Sequence, residues 1–229
     1  MEAAAPSLMY RQFMRGLSAG ILTLAMAGVF WFGLAAWSAD CARAGALPWA
    51  NGDVPLHYLL WEPWPALVIT GWIVYGAICV RRKAKGFRYS DIRNASESHR
   101  KMSRRIVRTF VLVGIGEGAL CGLSAYLGVH FHREDLIWPA IGAAVSIHFA
   151  PLASIFRVRP YYVTGMCGAV VSCVALLAPH ALLDAAGRWT FAGVGMGATM
   201  WVTAAYLILH ANRLETAWDI QSESTSEGA

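Results

Sequence analysis

Glu117 interrupts an otherwise apolar run, VLVGIGEGALCGLSAYLGV at residues 111–129, and His148 interrupts a second, IWPAIGAAVSIHFAPLASIF at 137–156. A carboxyl and an imidazole set among hydrocarbon side chains can share or relay a proton, and together they can hold a polar solute or an ion. Neither is cheap to keep there, since an acidic residue at the centre of a membrane span costs about 2.5–3.5 kcal/mol on insertion scales. The two also stand at matched depth. Glu117 lies nine residues after Arg108, and His148 lies nine before Arg157. At ~1.5 Å per helical residue, both sit roughly 13 Å from the same boundary. The short connection between the runs predicts that they are neighbours, and Ser124 and Ser146 are expected as further polar contacts on such a solute or proton pathway. Gly114, Gly118 and Gly122 recur every fourth residue beside Glu117, a ridge expected to let a neighbouring helix approach closely. Pro151 leaves the carbonyl of Ile147 without its helical donor and marks a bend. The plainer reading of the pair is interhelical glue, worth ~0.6 kcal/mol.

A second group of chemically able side chains falls in outward loops: His57, His130, His132 and His180, near Asp40, Asp53, Glu134, Asp135 and Asp184. Imidazoles and carboxylates bind divalent metals. The spacing, however, is that of scattered loop residues, with no H-E-x-x-H, C-x-x-C-H or phosphate loop, so no metal or cofactor is assigned. Arg104, Arg105, Arg157 and Arg159 form a third group, placed to meet anionic lipid headgroups at the inner face. The external acids and imidazoles do not cluster as a lipid-active enzyme would need, so an enzyme is the lesser reading.

The elements that must carry these groups follow from composition. Of 229 residues, 57% are hydrophobic and 14% charged, against about a quarter charged in a soluble domain. Six stretches reach the ~20 residues that cross a bilayer: about 17–37, 59–80, 109–129, 137–156, 161–179 and 189–209. Backbone polar groups cannot go unpaired in lipid, and ten-residue alternating segments are lacking, so these are helices rather than barrel strands. The expected fold class is all-α, a polytopic bundle of six transmembrane helices. Its expected parts are a cytoplasmic N-terminus at 1–16, a membrane domain at 17–210 and a cytoplasmic tail at 211–229.

The net charge of +5 would point to nucleic acid in a soluble chain; here the cations are sorted by loop instead. With both termini cytoplasmic, sixteen of the nineteen Lys and Arg residues lie inside, leaving Arg43, Arg133 and Arg188 outside. The positive-inside rule demands that asymmetry. It predicts a multi-pass protein of a bacterial inner membrane, with lipid as its partner and no nucleic acid. The first span is too long and too rich in Phe and Trp for a cleaved signal peptide. Five cysteines without a C-x-x-C predict no disulfide framework.

Within the basic segment 81–108, Ile92, Ala95, His99, Met102 and Ile106 recur at steps of three and four behind Ser90 and Asp91. The pattern predicts an amphipathic helix at headgroup level leading into the third span. The tail QSESTSEGA has the composition of a disordered end. No internal repeat of the transporter kind is visible. The run HFAPLASIFRVRPYYVTG at 148–165 resembles uncharacterised bacterial multi-pass membrane proteins, a resemblance that implies membrane residence and no known activity or cofactor. The reading that follows is small-solute or ion translocation through a buried Glu117–His148 pair, built around close packing of the third and fourth spans. The competing classes are a membrane scaffold or partner-binding subunit and a membrane-embedded lipid enzyme. The glycine ridges, including Gly193 and Gly197, equally suit a homodimer.

Overall fold

The computed structural model describes residues 8–43, 64–83, 97–156 and 158–211. His57, Asp53, Ser90, Asp91, Arg157 and the tail beyond Ala211 lie outside the described residues. Every regular element among the described residues is helical: α1 (Leu8–Arg43), α2 (Trp64–Lys83), α3 (Glu97–His130), a 3-10 turn (Glu134–Leu136), α4 (Ile137–Phe156), α5 (Pro160–Leu177) and α6 (Ala185–Leu209). Five of them, α1, α3, α4, α5 and α6, are long and apolar enough to cross a membrane. α2 has the length, at 20 residues, but ends in Arg81, Arg82 and Lys83.

The bundle is organised around α6, which packs along α1 and also meets α2, α4 and α5. On α1 the buried residues Met14, Leu17, Ile21, Leu24, Trp31 and Ala35 recur at helical steps, making one face of a long helix. Phe32 stacks on Trp201 with ring centroids 4.3 Å apart, and the Trp201 Nε1–H donates to the Ala25 carbonyl at 3.3 Å. Small residues permit this closeness. A Cβ on Gly193 would come within 2.6 Å of the Trp31 carbonyl oxygen, so the two backbones nearly touch there. α4 and α5 meet in the same way, since a Cβ on Gly165 would lie 2.8 Å from the Ser146 carbonyl oxygen. In lipid, where no hydrophobic gradient drives helices together, such steric fit and interhelical hydrogen bonds are what hold them. The Thr164 and Thr203 hydroxyls are 2.6 Å apart between α5 and α6, and Ser18 Oγ donates to the Ala77 carbonyl at 2.9 Å between α1 and α2.

α3 departs from expectation. It packs against α4 and the 3-10 turn, and none of the eighteen residues of its most apolar stretch is buried, whereas half of the corresponding stretch of α6 is. A Cβ on Gly114, Gly116, Gly118 or Gly122 would meet nothing within 4 Å. The glycine ridge therefore lies on an open flank, and the close packing expected between the third and fourth spans occurs instead at α1–α6 and α4–α5. The reason is angular: at 100° per residue, the side of α3 that carries Glu117 turns Gly118 and Gly122 off the α4 contact.

The basic segment also differs from the expected separate surface helix. From Glu97 onward it is continuous with the span in one 34-residue helix, about 51 Å long against a hydrocarbon core of about 30 Å. Its start therefore projects beyond the apolar layer along the axis of α3.

Candidate functional site

Glu117 and His148 come together. The Glu117 Oε1 and His148 Nδ1 atoms are 3.3 Å apart, with side chains 30% and 16% exposed. α3 supplies the carboxylate from its α4-facing side, and α4 supplies the imidazole from the middle of a 20-residue helix. Nδ1 of His148 is buried and makes no aligned hydrogen bond, so the approach is an ion-pair distance rather than a well-formed donor–acceptor line. Phe149 stacks on the imidazole at 4.5 Å. Pro151 lies inside α4, and the helix continues past it to Phe156.

Chemically, the pair has a preferred proton count. With one proton between them, the two groups are either both neutral or a carboxylate beside an imidazolium, with no net charge either way. Zero protons leave an anion and two leave a cation, both costly in a low-dielectric layer. A group of this kind can take up or release a proton when a compensating charge arrives.

The expected secondary contacts do not gather at the pair. Ser124 Oγ donates to the Leu120 carbonyl of its own helix at 2.8 Å. Ser146 Oγ donates to the Gly142 carbonyl at 2.7 Å and faces the Met196 sulfur at 3.8 Å. Two residues turn a helix by about 200°, so His148 facing α3 sends Ser146 towards α5 and α6. At the inner ends Arg104, Arg105 and Arg159 are exposed, while Arg157 lies outside the described residues.

The outer end holds a polar cluster whose members the sequence offered only as scattered loop residues. Asp135 is buried. Arg133 grips it with Nε 3.1 Å from Oδ1 and Nη2 3.3 Å from Oδ2, and this carboxylate contact raises the Arg133 pKa above its ordinary value. Arg188 Nε and His180 Nε2 each lie 3.6 Å from Asp135 Oδ2. Arg188 also donates to the carbonyls of Ala175 at 2.6 Å, Leu176 at 3.0 Å and Ala178 at 2.5 Å. Those carbonyls are the unpaired end of α5, where a cation is favoured. The Trp189 Nε1–H donates to the Asp135 backbone carbonyl at 3.2 Å. The outer ends of α4, α5 and α6 are thereby tied to one carboxylate. One signal for this was legible: a cation in the first turn of a membrane helix, as in AAGRWTF, is unfavourable there and demands partners.

The histidines considered as metal ligands separate. His130 stacks on Tyr126, His132 takes a left-handed backbone with φ 52°, His180 joins Asp135, and His57 lies outside the described residues. No three His, Cys, Asp or Glu side chains among the described residues stand close enough to hold a metal ion. The described surface also carries a shallow, mainly apolar groove between Ala39, Thr190 and Val194, remote in the chain from Glu117 and His148.

Fold and site together define a class: an all-helical protein with several segments able to cross a membrane and a carboxyl–imidazole pair between two of them. No protein-family model, curated protein or solved structure matches the chain.

Proposed function

We propose that this chain is a six-span protein of a bacterial inner membrane, with α2 as the sixth span and both ends cytoplasmic. On this reading it moves a small solute or an ion, with a proton exchanged at Glu117 and His148. The observation that carries it is the 3.3 Å approach of the two side chains at the matched depth of their helices. The cation sorting supports the orientation, and the 20 residues of α2 suffice for a span. Exposed Arg104, Arg105 and Arg159 attract anionic lipid by about 1 kcal/mol each.

The test is flux in proteoliposomes under an imposed pH gradient and membrane potential, with a panel of ions and small solutes. Wild type should pass protons with one of them, and Glu117→Gln should cut that flux at least tenfold while leaving the melting temperature in detergent nearly unchanged. Equal flux in both proteins, or none in wild type, rejects the reading. The second reading is a membrane scaffold or partner-binding subunit, including a homodimer; the open flank at Gly114, Gly118 and Gly122 favours it, because small residues facing outwards suit a second helix better than lipid.

A further inference from the structure

Beyond the lipid contact, the basic extension of α3 fits a part of this chain. Arg104, Arg105 and Arg108 are exposed and have no acidic partner among the described residues. Lys101 is spanned by Glu97 at 3.0 Å. In the sequence, Arg100, Arg104 and Arg108 recur every fourth residue of a continuous helix, which places them in a row along one side.

The segment after Ala211 carries the opposite charge at the same interval: Glu215, Asp219, Glu223 and Glu227 stand four residues apart, with Arg213 its one cation. Chain order puts the two at the same end of the bundle. The end of α3 and the start of α6 share the outer end, through the Asp135 cluster, so the start of α3 and the end of α6 share the inner one.

Reach is sufficient. α4 packs against both α3 and α6, so the two axes stand about two interhelical spacings apart, roughly 20 Å. Eight residues separate Ala211 from Asp219, and extended they cover about 26 Å.

We propose that segment 212–229 docks along the inner extension of α3, with Asp219, Glu223 and Glu227 meeting Arg108, Arg104 and Arg100. The order follows from geometry: Asp219 is nearest the end of α6, and Arg108 is nearest the apolar layer. Single exposed ion pairs are weak. A row of three on a tether works at an effective concentration in the millimolar range, and salt weakens it because the charges are solvent-exposed. The docked segment covers guanidiniums that otherwise face anionic headgroups, so tail and lipid compete for them.

The experiment uses the full chain in nanodiscs, with its five native cysteines replaced and Val107→Cys and Gln221→Cys introduced. Mild oxidation in zwitterionic lipid should give an intrachain disulfide whose rate falls at least tenfold in high salt. It should fall likewise in the charge-reversed tail Asp219→Lys, Glu223→Lys, Glu227→Lys. Adding Arg100→Glu, Arg104→Glu and Arg108→Glu should restore it, and phosphatidylglycerol in the disc should slow it in the unreversed chain. A rate indifferent to charge reversal, a disulfide only between chains, or none in either lipid overturns the docking. Labelling of the two cysteines by an impermeant maleimide separates causes: reaction from opposite faces rejects the proposed topology, whereas reaction from one face without cross-linking rejects the docking alone.

Discussion

Gly193 in α6 and Gly118 in α3 stand in helices of similar apolar character, yet they have opposite surroundings. A Cβ at Gly193 would press on the Trp31 carbonyl oxygen at 2.6 Å and on Ala35 Cβ at 2.8 Å; at Gly118 it would meet nothing within 4 Å. Glycine spacing marks where a close approach is permitted, and a second backbone must arrive before that permission contributes anything. α6 has neighbours on several sides, whereas α3 has α4 on one side. The polar groups follow the same division. The charge on α6, Arg188, is 3% exposed and is held by three carbonyls and a carboxylate. The charge on α3, Glu117, is 30% exposed and has one imidazole beside it.

Substitutions can break this contrast. The largest effect should come from Arg188→Met, which strips the donors from the end of α5 and leaves the buried Asp135 with Arg133 alone. Breaking a buried charge network of this kind costs roughly 3–5 kcal/mol, read as a large drop in the detergent melting temperature. A loss under about 1 kcal/mol would mean that the outer cluster does not anchor α6. Next comes Gly193→Leu. Because the obstruction is backbone rather than a flexible side chain, a loss of about 3 kcal/mol is expected at the upper end of overpacking costs, again by thermal melting.

Thr164→Val removes the hydroxyl pair between α5 and α6 and should cost about 0.6 kcal/mol. A double-mutant cycle with Thr203→Val isolates that interaction, and a coupling of zero would remove it from the ties that hold α6. The smallest effect should be that of Gly118→Leu, within about 0.5 kcal/mol for the isolated chain, as for a substitution that touches nothing. If it destabilises the isolated chain as much as Gly193→Leu does, α3 is packed as tightly as α6 and the contrast is wrong.

Much of the site was legible for a simple reason. Helical rise is constant, so counting residues from Arg108 and Arg157 placed Glu117 and His148 at one height without knowledge of any neighbour. Height is a one-dimensional quantity and survives errors in packing. Direction does not. Ser146 is close to His148 in sequence and was grouped with it, but two residues of helix carried its hydroxyl to the Met196 side. Ser124 bonded back to its own helix, an option open to any serine in a span. Asp135, His180 and Arg188 lie in separate stretches of chain, and only the folding of the outer loops made them one cluster. The expected surface helix failed because an amphipathic pattern next to a span does not say whether the two are joined end to end; in α3 they are.

Composition and hydropathy decided by themselves that this chain is helical, which stretches are long and apolar enough to cross a membrane, and how deep each polar side chain lies along its helix. Those properties are local, because a helix in lipid must satisfy its backbone hydrogen bonds within its own segment. The tertiary structure alone decided that α6 is the centre and α3 the edge, which glycines touch a backbone and which face outwards, and that Asp135 gathers three helix ends. Every helix face is about as apolar as the lipid around it, so no hydrophobic gradient written in the sequence selects a neighbour. The choice falls to steric fit between surfaces that meet only after the bundle has formed.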